Sequence, residues 1–130
     1  MTQQRWTTDD LNRIGDADEL RIAPRRKDGT RRRAVPIWVV RVGDELYVRS
    51  WRGDGGRWYR AAQASGEGHV SAGDVSKDVA LLAAGDEVND AVDAAFLEKY
   101  GSYTGYVEPM VASQARATTQ RLVPRSEAGA

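Results

Sequence analysis

Residues 34–50 leave this chain few ways to fold. Ala34-Val35-Pro36-Ile37-Trp38-Val39-Val40-Arg41-Val42 is β-branched and almost continuously apolar, Gly43-Asp44 is a turn, and Glu45-Leu46-Tyr47-Val48-Arg49-Ser50 is a second strand-like run. Two such runs joined by a tight turn form an antiparallel pair. The near-absence of polar positions in the first run predicts burial on both faces. Pro36 has no N–H to donate, so that strand begins at a sheet edge or a bulge.

The rest of the chain extends this pattern. Glu19-Leu20-Arg21-Ile22-Ala23-Pro24-Arg25-Arg26 alternates with a period of two, and Asp28-Gly29 marks a hairpin turn toward residue 34. His69–Ala72 and Asp78–Ala83 read as two more strands around a turn at Gly73-Asp74, and Thr118, Gln120 and Leu122 as a last one ending at Pro124. Helices interrupt them. Thr7-Thr8-Asp9-Asp10 before Leu11 and Ile14 is a capped short helix ending at Gly15, with Trp6 placed to staple it down. Trp58–Ala64 is a short helix broken by Ser65-Gly66-Glu67-Gly68. Val88, Ala91, Val92, Ala95, Phe96 and Tyr100 recur at helical spacing between Gly85-Asp86 and Gly101. Tyr103–Tyr106 is expected to be a loop and 107–116 a further short helix. This order implies an α+β or mainly β fold, with antiparallel strands and helical insertions. The length of 130 residues predicts one domain over 1–124 and a frayed tail over 125–130.

Composition removes several kinds of chemistry. There is no cysteine and a single histidine, so thiolate nucleophiles, disulfides, cysteine-ligated metal sites and multi-histidine metal sites are left out. No run of 18 apolar residues occurs, and Met1–Asp10 is polar, which predicts no membrane span and a cytoplasmic protein. Basic and acidic residues number 19 each, but residues 21–60 carry twelve basic side chains against four acids, and 61–100 carry two against eight.

The positive segment contains the most suggestive constellation. Arg49, Ser50, Arg52, Arg57 and Arg60 surround Gly53, Gly55 and Gly56, after a strand and before a helix. Backbone N–H groups of a glycine turn and a helix start favour an anion, and arginine and serine add donors. Trp51, Trp58 and Tyr59 add flat apolar surface for a ring system. The chemistry is that of a phosphate-plus-aromatic site, without the spacing of a P-loop or a dinucleotide fingerprint. The same residues also suit a flexible loop with tryptophan packed beneath it. The basic cluster Arg25, Arg26, Lys27, Arg31, Arg32 and Arg33 serves equally as a polyanion grip or a solvated hairpin tip. Tyr100, Tyr103 and Tyr106 line a pocket or pack inward. His69 reads as a surface residue at a strand start, and spacing assembles no Ser/His/Asp set.

The run 35–50, the glycine loop and Trp58-Tyr59-Arg60-Ala61 together resemble the split β-barrel flavin and deazaflavin oxidoreductases, a superfamily that includes nitroreductase-like and pyridoxamine-phosphate-oxidase-like proteins. The opening Trp6…Asp10-Leu11, Ala17-Asp18-Glu19-Leu20, Asp28-Gly29-Thr30 and Ala94…Lys99-Tyr100-Gly101 resemble a small domain-of-unknown-function family within it. The resemblance implies a six-stranded antiparallel split β-barrel with short flanking helices, and a homodimer. It implies FMN or the deazaflavin coenzyme F-420 as cofactor, with a small-molecule substrate. By position, Arg49, Ser50, Arg52, Gly53, Gly55 and Gly56 would hold phosphate, Trp58 and Arg60 would close the helix side, and Trp38 and Arg41 would lie near the ring. An asparagine usual at the helix start is absent here. The expected function is thus an oxidoreductase-like protein that binds the cofactor phosphate at 47–60, with a non-catalytic binder or sensor as the alternative. No catalytic residue is assigned. Nucleic-acid binding through 21–60 is a third reading, opposed by the acidic half of the chain.

Overall fold

The computed structural model describes residues 5–125, so residues 126–130 of the expected tail lie outside it. The strands are β1 (Leu20–Pro24), β2 (Val35–Ile37), β3 (Val40–Val42), β4 (Glu45–Val48), β5 (Glu67–Ala72), β6 (Val75–Ala83) and β7 (Gln120–Pro124). The helices are α1 (Thr8–Asp16), α2 (Arg57–Ser65), α3 (Asn89–Tyr100), α4 (Thr104–Met110) and α5 (Ser113–Arg116). All strands form one antiparallel sheet in the order β2-β1-β5-β6-β7-β4-β3.

That order explains the shape. β2 and β3 sit at opposite edges of the sheet, yet only Trp38 and Val39 separate them. Three extended residue steps span at most about 11 Å. The sheet must therefore curl until its edges nearly meet, giving a seven-stranded half-barrel. The expectation of six strands is corrected here. The run 34–42 is not one strand but two, broken at Trp38-Val39.

The break is stabilised by α3. The Val39 N–H donates to the Tyr100 hydroxyl at 3.3 Å, and Val39 O accepts from Lys99 Nζ at 2.7 Å. The Tyr100 hydroxyl also lies 2.9 Å from Asp18 O and 3.2 Å from Val39 O. These side chains satisfy backbone groups that a continuous ladder would otherwise pair. Burial on both faces, expected for 34–42, holds only at Val39 and Val40. It falls instead on β4, where Leu46 and Val48 enter the barrel core and Tyr47 packs under α3. Pro36 is exposed on an edge strand, as its missing N–H requires.

Two apolar clusters hold the layers. Inside the barrel, Leu20, Ile22, Leu46, Val48, Val70, Val79 and Leu122 meet, and α1 closes one end with Leu11 and Ile14. The α1 cap is the expected one: the Asp10 N–H donates to Thr7 Oγ1 at 3.0 Å. Trp6 pins the entry, its indole N–H donating to Leu122 O at 2.8 Å. Outside the sheet, Val92, Phe96 and Tyr100 form the buried stripe of α3 over Val40 and Tyr47. Burying a side chain such as Phe96 contributes roughly 1.5–3 kcal/mol. The segment 103–106, expected as loop, is helical from Thr104 onward. β5 and β6 begin earlier than expected, at Glu67 and Val75.

Lys99 and Tyr100 give the fold an alkaline signature. Burial pushes the Lys99 ammonium down to about 8 from 10.5, against the pull of Asp16 and Asp18. Burial pushes the Tyr100 hydroxyl up to about 12 from 10.0. Between about pH 8 and 10.5 the unfolded chain holds the Lys99 proton more tightly, so stability rises with pH. Between about pH 10 and 12 the folded chain holds the Tyr100 proton more tightly, so stability falls. Denaturant midpoints measured across pH 7–12 are expected to pass through a maximum near pH 10, and Lys99→Met is expected to flatten the rising limb.

Candidate functional site

β4 delivers the residues that end the sheet. Past Val48, the side chain of Arg49 turns inward and is 1% exposed. Its Nε donates to Thr119 Oγ1 at 2.9 Å. Nη1 donates to Asp93 Oδ1 at 2.5 Å and Met110 O at 2.9 Å. Nη2 donates to Asn89 O and Asn89 Oδ1, both at 3.2 Å. All five guanidinium donors are thus used inside the protein. Burial lowers the Arg49 pKa, and the hydrogen bond and charge of Asp93 raise it back. Arg49, expected to hold phosphate, instead ties β4 to α3, α4 and the approach to β7.

Ser50 is the opposite case. Its N–H donates to Thr118 Oγ1 at 2.8 Å, which fixes the backbone. Its side-chain Oγ is buried without a hydrogen-bond partner among the described residues. A buried hydroxyl left unpaired costs about 1–3 kcal/mol, so such an atom signals a missing ligand or water. The chain then turns through a 3-10 segment, Gly53–Gly55, into α2. Gly53 has φ +64°, and a Cβ there would lie 2.3 Å from Gln114 Cγ, so the turn seats against α5. A Cβ on Gly56 would lie 2.4 Å from Ser50 Oγ. Glycine alone lets the start of α2 come this close to the hydroxyl. Gly56 is the N-cap of α2 and supplies no side-chain acceptor, which leaves the first-turn N–H groups without that partner.

A cavity of about 780 Å³ opens over this corner. Val35, Pro36, Ile37 and Trp38 form one wall, Gly56, Arg57 and Trp58 another, and Tyr106 and Met110 of α4 a third. Trp38 stacks flat on Tyr100, with ring centroids 4.0 Å apart and planes 1° apart. Arg52 and Arg57 are exposed and have no ion pair among the described residues, and no acidic side chain lines the cavity. The site is an apolar, aromatic hollow with positive charge and unpaired donors at one corner.

Of the sequence candidates, Trp38, Arg49, Ser50, Trp51, Arg52, Gly56 and Trp58 line this cavity. The others stand elsewhere. Arg41 is tied to Gly43 O at 2.8 Å and Asn12 Oδ1 at 2.7 Å, beside α1. Tyr59 is buried with its hydroxyl bonded to Gln63. Arg60 is exposed on α2, Gly53 is buried under α5, and Gly55 faces open space. Arg57 of the basic loop and Tyr106, one of the three tyrosines, line the cavity too, while Met110 and Val35–Ile37 were not among the candidates. Tyr106 and Met110 share a helix face at i, i+4. That pairing was missed because 103–106 was expected as loop and the helix was expected to start at 107. The three tyrosines divide: Tyr100 is core, while Tyr103 and Tyr106 are 53% and 66% exposed.

Arg49→Leu is expected to cost about 3–5 kcal/mol, because Asp93 and four other acceptor atoms lose a buried partner. Urea unfolding of the variant measures this, and Asp93→Asn in the same background is expected to recover part of the loss.

Three solved structures share the fold. The heme storage protein HutZ from Vibrio cholerae superposes with TM-score 0.68 at 13% identity, over 94% of this chain and 92% of that one. The FAD and heme binding protein from Mycobacterium smegmatis gives 0.60 at 20% identity, over 94% and 67%. An F420 reductase gives 0.52 at 16% identity, over 88% and 90%. At these identities the likeness is one of fold. No curated protein matches the sequence significantly. Residues 10–122 match the family model described as "Uncharacterized protein conserved in bacteria (DUF2255)", and the chain belongs to that family.

Proposed function

We propose that this protein binds a planar, phosphate-bearing redox cofactor, a flavin or deazaflavin such as FMN or F-420, in the cavity over Ser50. The observation that carries the reading is the unpartnered, buried Ser50 Oγ beside the open start of α2 and two unpaired arginines. A phosphate supplies what each of these lacks: an acceptor for the hydroxyl, for the helix N–H groups and for Arg52 and Arg57. The aromatic and apolar wall of Trp38, Trp58, Val35 and Tyr106 suits a flat ring. The FAD and heme binding protein and the F420 reductase among the structural neighbours support the same ligand class.

Heme, named for two of the neighbours, is the weaker reading. His69, the chain's only imidazole, belongs to β5 and does not line the cavity. A bound flavin or deazaflavin supplies hydride transfer. This chain's residues do the rest. Ser50, Arg52, Arg57 and the first turn of α2 hold the phosphate, and Trp38 and Trp58 exclude water from the ring. An oxidoreductase with a small-molecule substrate, working as a cytoplasmic homodimer, completes the proposal. A non-catalytic binder or sensor uses the same cavity, and reduction of an acceptor by the bound, reduced cofactor separates the two.

Titration with FMN, F-420 and hemin, followed by thermal unfolding, tests the reading. Ligand at one hundred times its Kd is expected to stabilise by about 2.7 kcal/mol. Replacing Arg52 and Arg57 by Gln is expected to weaken binding roughly ten- to hundredfold. Gly56→Ala pushes Ser50 Oγ aside and is expected to act in the same direction. Absence of a shift with both flavin-type cofactors overturns the proposal.

A further inference from the structure

A second group of reactive side chains lies on the outer face of the β5–β6 hairpin. His69 Nδ1 is 2.8 Å from Asp78 Oδ1, and His69 Nε2 is 2.6 Å from Ser76 Oγ. The ladder builds this chain of contacts. His69 is registered directly opposite Asp78, and Ser76 precedes Asp78 by two, so all three share one face. The sequence shows no Ser/His/Asp set because Ser76 and Asp78 meet His69 only across the strand pairing.

Each imidazole nitrogen therefore has a different partner. The carboxylate on Nδ1 places the proton there and turns the Nε2 lone pair toward the serine hydroxyl. The hydrogen bond from His69 holds Asp78 below the usual carboxylate range, against the effect of burial. Arg25 Nη2 and Arg31 Nη2 add positive charge 3.4 and 3.6 Å from the same oxygen. Glu67, on the same face of β5, is engaged by Arg125 at 2.8 Å and faces Arg25 at 3.9 Å. Ser76 is exposed and lines a shallow hollow of about 340 Å³ with Asp9, Asp10, Arg13, Asp74, Val75 and Lys77. Arg13 is committed there to Asp9 and Asp74, while Lys77 has no ion pair among the described residues. This hollow shares no residue with the aromatic cavity.

We propose that Ser76 is a nucleophile activated by His69 and oriented through Asp78, acting on small carboxylic esters at a site separate from the aromatic cavity. Ser76 Oγ adds to the ester carbonyl carbon as its proton passes to His69 Nε2. The ester C–O bond then breaks, and His69 returns that proton to the leaving oxygen, releasing an alcohol and an acyl-serine. Water attacks the acyl carbon and gives a proton to His69 Nε2. The bond to Oγ breaks, Oγ takes the proton back, and a carboxylic acid leaves. Ser76 is exposed, so its hydroxyl is open to a small ester from solvent.

The test is labelling of the full chain with a fluorophosphonate probe, read by intact mass and peptide mapping, alongside hydrolysis of p-nitrophenyl acetate. One adduct, on Ser76, is expected. Ser76→Ala is expected to lose the adduct, and His69→Gln to slow labelling and hydrolysis roughly a hundredfold or more. Circular dichroism of both variants establishes that they fold. Asp78→Asn is expected to slow labelling, and Asp78→Glu, which keeps a carboxylate for His69 Nδ1, to restore part of the rate. A merely structural Asp78 would leave the labelling rate of the folded Asp78→Asn variant unchanged. A folded wild-type protein that takes no adduct on Ser76 overturns the proposal, as does a Ser76→Ala variant that hydrolyses the ester at the wild-type rate.

Discussion

The two-residue link Trp38-Val39 is the constraint on which the architecture rests. It joins the two outermost strands of a seven-stranded sheet, and a link that short obliges the sheet to roll up. Closure is by chain connectivity rather than by a hydrogen-bonded ladder. The backbone groups exposed at the link must be satisfied in another way, and Lys99 and Tyr100 of α3 do this. The position of α3 on the outside of the sheet is thereby fixed. Trp38, stacked on Tyr100, is held as a wall of the cavity by the same interaction.

A second buried interaction places the opposite wall. Arg49 draws the end of β4, the start of α3, the end of α4 and the approach to β7 to one guanidinium. A buried arginine is costly unless every donor is matched and its charge is met, and here both conditions hold. Met110, whose carbonyl Arg49 binds, carries its side chain to the cavity. Ser50, next in the chain, is left with an unused hydroxyl. A saturated guanidinium and an unpartnered hydroxyl thus fall on adjacent residues at one strand end. The arginine is consumed by the fold and the serine is left open.

The distribution of charge follows the same division. Most of the basic hairpin around residues 25–33 is exposed. Arg25 and Arg31 face Asp78, and Arg26 bonds Thr30 and the Arg31 carbonyl. Asp78 thus offsets part of the hairpin's positive charge. Among the described residues that line the cavity, Arg52 and Arg57 carry charge without an ion pair.

The sequence by itself determined most of the elements and their order. Thr7 as a cap, Asp28-Gly29 and Gly73-Asp74 as turns, the α3 stripe and Pro36 at an edge are all local signals, set by hydrogen bonding and backbone sterics within a few residues. The segment 47–60 was legible as a candidate site because its donors and aromatics are contiguous. Tertiary structure decided the break of 34–42, since an apolar run reads alike whether it ends on one sheet edge or two. It also decided which arginine is free, because saturation of Arg49 depends on Asn89, Asp93, Met110 and Thr119, forty to seventy residues away. The contact of His69 with Ser76 and Asp78 is of the same kind. Residue types can be read from the chain, but partners depend on register, and register is set by which face of the sheet is buried in the folded protein.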